Sequence, residues 1–297
     1  MKKILIVMSL FLLGCEEELT APEGSSDTVA LVWMYKGYAH INDYGYGSFP
    51  CDTVNNVYFS MPIMGSSMET VDLITINQIS LEEEIELNDY NWDSIDTAAA
   101  CQSGWGHFYQ GLEYGHTYVR SNTYSANSFE FDQINLNVNT NQSLLSGVID
   151  APGDIIDSLT SYAFSADSSS IVLNWNDANA DFYEIDIGYQ CYSDEDGYDY
   201  RNYEYYVTSN TYEHEFTCEI IFDNWYYPLD IFVKPTNGPL PEEGAIPNMS
   251  GGNGYLYYSS YSHRIYEYYS SNSNQKDYMV QDSEKSVSKV LEILNLD

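Results

Sequence analysis

From residue 28 onward, hydrophobic and polar positions alternate in short bursts instead of recurring every three or four residues. In INLNVN, Ile134, Leu136 and Val138 face one way and the asparagines the other. In TVDLITINQI, Val71, Leu73 and Thr75 alternate with Asp72, Ile74 and Ile76. TVALVWMY (28–35), NVYFSMPIM (56–64), HTYVRS (116–121), FEFDQINLNVN (129–139) and SGVIDAP (146–152) are rich in β-branched and aromatic residues, which favour strands. Gly, Asn, Asp and Pro punctuate them at short intervals, the spacing of a β-sandwich. Helical spacing is confined to the C-terminal SEKSVSKVLEILNLD, where Val287, Val290, Leu291 and Leu294 share a face and Ser283 can cap. The pattern predicts an all-β chain with one short amphipathic helix at its end, expected to pack on the sandwich. At the usual domain size the length suggests about two domains.

Pro152-Gly153 closes the first half, and a second set of strands follows. SSIVLNWNDANADFYEIDIGY (169–189) resembles strands B and C of a fibronectin type III domain. Trp175 stands in that family's place for a core tryptophan, and Tyr183, Ile185 and Ile187 alternate along the next strand. NTYEHEF (210–216) fits the following strand. YPLDIFVKPTNG (227–238) fits strand F, with Leu229, Ile231 and Val233 inward, Tyr227 at the corner position and Asn237-Gly238 as the turn. GYLYYS (254–259) would be strand G. The segment 191–202 departs from the family as a longer, more acidic loop. LEYGHTYVRS (112–121) followed by SGVIDAPGD (146–154) resembles the immunoglobulin-like module that precedes such domains in bacterial lipoproteins. Together these resemblances imply two immunoglobulin-like or fibronectin type III-like β-sandwiches in tandem, at 28–156 and 157–262, with an extension at 263–297 that carries the helix.

The N-terminus reads differently. Lys2 and Lys3 precede a run of about ten apolar residues, Ile4 to Leu13, half the length needed to cross a bilayer. That is the layout of a signal peptide, here 1–14. Leu12-Leu13-Gly14-Cys15 resembles a bacterial lipobox, which implies that Cys15 becomes the first mature residue and carries lipid. Glu16, Glu17 and Glu18 resemble the acidic tag that sends some lipoproteins to the outer face of the outer membrane. The expected location is therefore the outer membrane, lipid-anchored and facing the exterior. Residues 15–27 have linker composition.

Charge narrows the partners. The 45 acidic residues outweigh ten Lys and Arg, for a formal charge of −35. Such a surface repels phosphate backbones, which argues against nucleic acid, and it also keeps a chain soluble without any ligand. With Cys15 assigned to lipid, Cys51, Cys101, Cys191 and Cys218 remain, in a compartment that favours disulfides. Three pairings exist; proximity along the chain favours Cys51–Cys101 and Cys191–Cys218. No Cys-x-x-Cys pair supports zinc.

Candidate chemistry is sparse. The acidic stretch YSDEDGYDYRNYEYY (192–206) offers Asp194, Asp196 and Asp199 as calcium ligands, but its spacing does not fit an EF-hand, so no cofactor is expected beyond an irregular calcium site. Tyrosine is abundant, with 30 residues. Tyr198, Tyr200, Tyr203, Tyr205, Tyr257 and Tyr266 fall in its clusters and form the candidate ligand surface, because tyrosine couples a flat apolar face to a hydroxyl. The five histidines, His40, His107, His116, His214 and His263, show no metal or catalytic spacing, and no nucleophile elbow is present. The sequence therefore reads as a non-catalytic binding or adhesion module for an extracellular glycan or protein. The alternatives are a structural or assembly subunit of an outer-membrane complex, with the helix as docking element, and an enzyme acting on polysaccharide.

Overall fold

The structure is a computed structural model. It describes residues 28–40, 53–65, 69–84, 101, 104–113, 115–126, 131–155, 160–161, 170–193, 197–220, 229–260, 263–267, 273–276 and 283–296. The chain is all-β with one C-terminal helix, as the periodicity predicts. In the first half the strands are β1 (Val29–His40), β2 (Thr53–Met64), β3 (Val71–Ile76), β4 (Ile79–Ser80), β5 (Glu82–Glu84), β6 (Trp105–Glu113), β7 (His116–Ser125), β8 (Gln133–Thr140) and β9 (Leu144–Asp150). Then come β10 (Thr160–Ser161), β11 (Ser170–Asn174), β12 (Phe182–Ser193), β13 (Gly197–Val207), β14 (Thr211–Glu215), β15 (Glu219–Ile220), β16 (Leu229–Asn237), β17 (Asn253–Ser259), β18 (His263–Glu267), β19 (Ser273–Lys276) and helix α1 (Ser283–Ile293).

One sheet of twelve described strands runs through both halves in the order β13-β12-β16-β17-β1-β2-β7-β6-β5. On its inner face it meets two smaller sheets, β4-β3-β8-β9 and β10-β11-β14. The alternation read from the sequence is what packs them. Ile134, Leu136 and Val138 of β8 meet Val32 and Met34 of β1 and Phe59 of β2 in a first core. Ile171, Leu173 and Trp175 meet Ile185, Ile187 and Tyr189 of β12 and Ile231 and Val233 of β16 in a second. The non-Gly residues Asn77 and Gln78 adopt positive φ between β3 and β4, the mark of a tight hairpin turn.

The strand expected to close the second half does something else. β17 pairs in parallel with β1 along its whole length, from Val29↔Asn253 to Tyr35↔Ser259. It touches β16 only at Thr236↔Ser259 and Asn237↔Tyr258. β18 then continues along β16, from Val233↔His263 to Leu229↔Glu267. β17 and β18 thus belong to different layer pairs, and this stitches the two halves into one sheet.

This arrangement explains the unbroken hydrophobic run of β1. Ala30, Val32 and Met34 enter the first core, while Leu31, Trp33 and Tyr35 enter a third cluster on the opposite face. There α1 packs on β1 and β2, and its Val287 and Val290, with Leu294 just beyond it, share a cluster with Trp33, Tyr255 and Tyr257. A strand buried on both faces needs no polar positions. Of the segment 191–202, expected as an acidic loop, the described residues 191–193 and 197–202 are strand: β12 and β13 pair from Tyr183↔Val207 out to Ser193↔Gly197.

Candidate functional site

Two features stand out on the second half. The first is ionic. Along β12 the odd positions point into the second core, so Glu184 and Asp186 point to the outer face of the large sheet. Register places Glu184 opposite Tyr206 and Asp186 opposite Glu204 on β13, and Lys234 of β16 on the other flank of Glu184. This outer face is covered. Lys234 is 1% exposed, Glu184 0% and Asp186 15%. The Lys234 ammonium donates to Glu184 Oε1 and to Asp186 Oδ2, each at 2.8 Å, and lies 6.0 Å from the centre of the Tyr35 ring.

Burial alone would lower the pKa of Lys234; the charges of Asp186 and Glu184 outweigh it and hold it well above the ordinary value. Glu204 is the surplus acid. Burial, then the charge of Glu184, push its pKa up to about 8, against the pull of its hydrogen bond from the Tyr206 hydroxyl. At neutral pH Glu204 therefore holds a proton. Oxygens of Glu184, Asp186 and Glu204 lie within 4.8 Å of one another, a spacing that suits a cation. The lysine already fills that role for two of them, so the group reads as an ion-pair cluster closed on its own cation, with one negative charge in excess.

The second feature is an aromatic rim where the edge strands β13 and β14 leave the second core open. Tyr203 stacks on Tyr189 at 5.7 Å and 14°. Tyr203 and Tyr205 hold parallel planes at 6.2 Å. Tyr205 lies 4.8 Å from Tyr212, and His214 packs 5.0 Å from Tyr203 and 5.8 Å from Tyr205. The hydroxyls of Tyr189 and Tyr203 both reach Thr217 Oγ1, at 3.2 and 3.1 Å, and that of Tyr205 reaches His214 Nδ1 at 3.2 Å. Burial lowers the His214 pKa, which keeps the ring neutral and makes it a structural floor. Tyr203, Tyr205 and Tyr212 remain partly exposed above it. Flat rings ending in hydroxyls suit a hydroxyl-rich ligand or a peptide.

The candidate residues scatter relative to these features. Tyr203 and Tyr205 sit in the rim. Tyr200 lies on the other face of β13, 58% exposed, with its hydroxyl end over Gly188. Tyr257 is a correction: it is fully buried, stacked on Trp33 at 4.6 Å, and offers no surface. The side chains of Tyr198 and Tyr266 lie outside the described residues, as do Cys15, Cys51, Tyr227, Asp194 and Asp196. Asp199 forms an exposed ion pair with Arg201 at 2.8 Å. Cys191 is bonded to Cys218. Cys101 is also disulfide-bonded, with its partner outside the described residues.

Glu184, Asp186, Glu204 and Lys234 escaped the sequence reading, because alternation assigns them to a solvent face. Tyr212 and Thr217 escaped it because their role depends on the approach of two sheets. No protein-family model matches the chain, and no curated protein matches it.

Proposed function

We propose that this chain is a lipid-anchored protein of the outer membrane, exposed to the exterior, that binds an extracellular glycan or protein without transforming it. The observation that carries the reading is the rim of Tyr203, Tyr205 and Tyr212. These rings are partly exposed, mutually supported and edged with hydroxyls on a rigid sheet. The second half is read as a fibronectin type III-like module because β10-β11-β14 faces β13-β12-β16, although β18 takes the place beside β16 that the resemblance gave to 254–259. The first half is read as its immunoglobulin-like companion. The lipobox-like Leu12–Cys15 supplies the anchor.

An assembly subunit docking through its C-terminal helix is the weaker reading, because the apolar face of α1 is spent on its own sheet. An enzyme is weaker still. The clustered carboxylates that could serve as acid and base are closed over by Lys234.

Two measurements test the proposal. Cells fed a labelled fatty acid should label the wild-type chain and not Cys15→Ala, and external protease should cleave the wild type on intact cells. A screen of glycans and envelope proteins should yield a ligand whose affinity falls at least about tenfold in the double variant Tyr203→Ala/Tyr205→Ala, the loss expected for aromatic anchors. An unlabelled wild type, full protection on intact cells, or a ligand held equally by the double variant would each overturn the corresponding part.

A further inference from the structure

The outer face of the sheet β4-β3-β8-β9 breaks with the rest of the molecule. Asn135, Asn137 and Asn139 run down its middle strand, pointing away from the first core. Register sets Val148, Ser146 and Leu144 beside them on β9. On β3, Leu73 stands beside Asn139 and Thr75 beside Asn137. Leu73, Leu144 and Val148 are 42%, 58% and 59% exposed. In a chain with 45 acids, none of these outward positions is charged; Asp72 and Asp150 stand only at the rim. The amides are tied along the face, with Asn137 Nδ2 donating to Thr75 Oγ1 at 3.4 Å and to Asn135 Oδ1 at 3.3 Å. Those bonds are long, and each amide keeps capacity for further partners.

We infer that this face is a binding site for an uncharged polysaccharide chain. A polyanion is repelled by the surrounding surface, and a polycation finds better sites on the acidic faces. Three strands about 4.8 Å apart and three rows about 6.8 Å apart span roughly 300 Å². A stable protein partner needs about 800 Å² per side. A short run of sugar rings suits that area: its hydroxyls meet the amide column, and its apolar C–H faces meet Leu73, Leu144 and Val148. The inference takes from the proposed function only the extracellular setting, since these strands are not those of the tyrosine rim.

The test is co-sedimentation of the full chain in detergent with insoluble β-1,4-glucan, β-1,3-glucan and β-1,4-mannan, beside calcium-gelled polyuronate. At least one neutral polymer should retain the wild type about tenfold better than polyuronate does. Asn137→Asp, which puts a charge at the centre of the grid, should lower that retention at least about tenfold with an unchanged melting temperature. Leu144→Glu supplies an independent second variant, Ile246→Ser, an exposed apolar residue on another surface, should retain the neutral polymer fully, and Tyr203→Ala/Tyr205→Ala separates this face from the tyrosine rim. Several outcomes overturn the inference: no neutral polymer retained, equal retention on polyuronate, or full retention by both face variants. Loss only in the tyrosine variant moves the site to the rim. A wild-type dimer seen by light scattering and abolished by Asn137→Asp assigns the face to a second copy.

Discussion

The outer face of the large sheet is sealed in two different ways. Over β1 and β17 the seal is apolar: Trp33 and Tyr257 stack, Phe182 meets them edge-on at 6.3 and 6.1 Å, and α1 closes the cluster. Over β12 and β16, on the same face, Lys234 and Glu184 are sealed instead, with Asp186 and Glu204 partly exposed beside them. Between the two zones lies a short polar relay. Trp33 Nε1 donates to Ser259 Oγ at 3.0 Å, and the Ser259 and Thr236 hydroxyls meet at 2.8 Å. Trp33 and Tyr257 in one zone and Lys234 and Glu184 in the other are buried. The apolar zone gains from each methylene buried, regardless of pH. The ionic zone depends on Lys234 between Glu184 and Asp186, so removing that one cation leaves two carboxylates unpaired.

The sharpest way to break the contrast is Lys234→Met. It leaves buried carboxylates without their cation and is expected to cost about 3–5 kcal/mol, read by urea unfolding. A loss under about 1 kcal/mol would mean that the zone is open to water. The matching change on the apolar side, Val290→Ala, removes two buried methyls and should cost about 2 kcal/mol. That cost should be the same at every pH. A pH series sharpens the comparison most. Glu204 titrates near 8 in the folded state and near 4.3 unfolded, so the folded chain binds its proton more tightly. The stability this group contributes is full below about pH 4.3 and is lost as pH rises through about 8. Melting temperatures of Glu204→Gln minus wild type should therefore climb across that window and level off above it. A flat difference would remove the buried proton.

Much of the fold could be read from residue order. The strict alternation of Ile134, Leu136 and Val138, and of Tyr183, Ile185 and Ile187, does point into the two cores. Trp175 is buried where the resemblance to the fibronectin type III fold places a core tryptophan. Cys191 and Cys218 are joined, as their proximity along the chain suggested. The site was less legible. Tyr257 and Tyr205 look alike in sequence, yet one is sealed against Trp33 and Phe182 and the other forms part of a rim. Composition could not separate them, because a strand buried on both faces and one buried on a single face both favour tyrosine.

Local order determined the strands, the faces they turn inward and the amphipathic end, because a two-residue or 3.6-residue period is a property of neighbouring side chains alone. Tertiary structure decided which outward faces stay outward. Parallel pairing of β17 with β1, and the cover over Glu184 and Lys234, join residues some 50 to more than 200 positions apart. Burial, and with it charge state, belongs to such long-range contacts, and no local period encodes them.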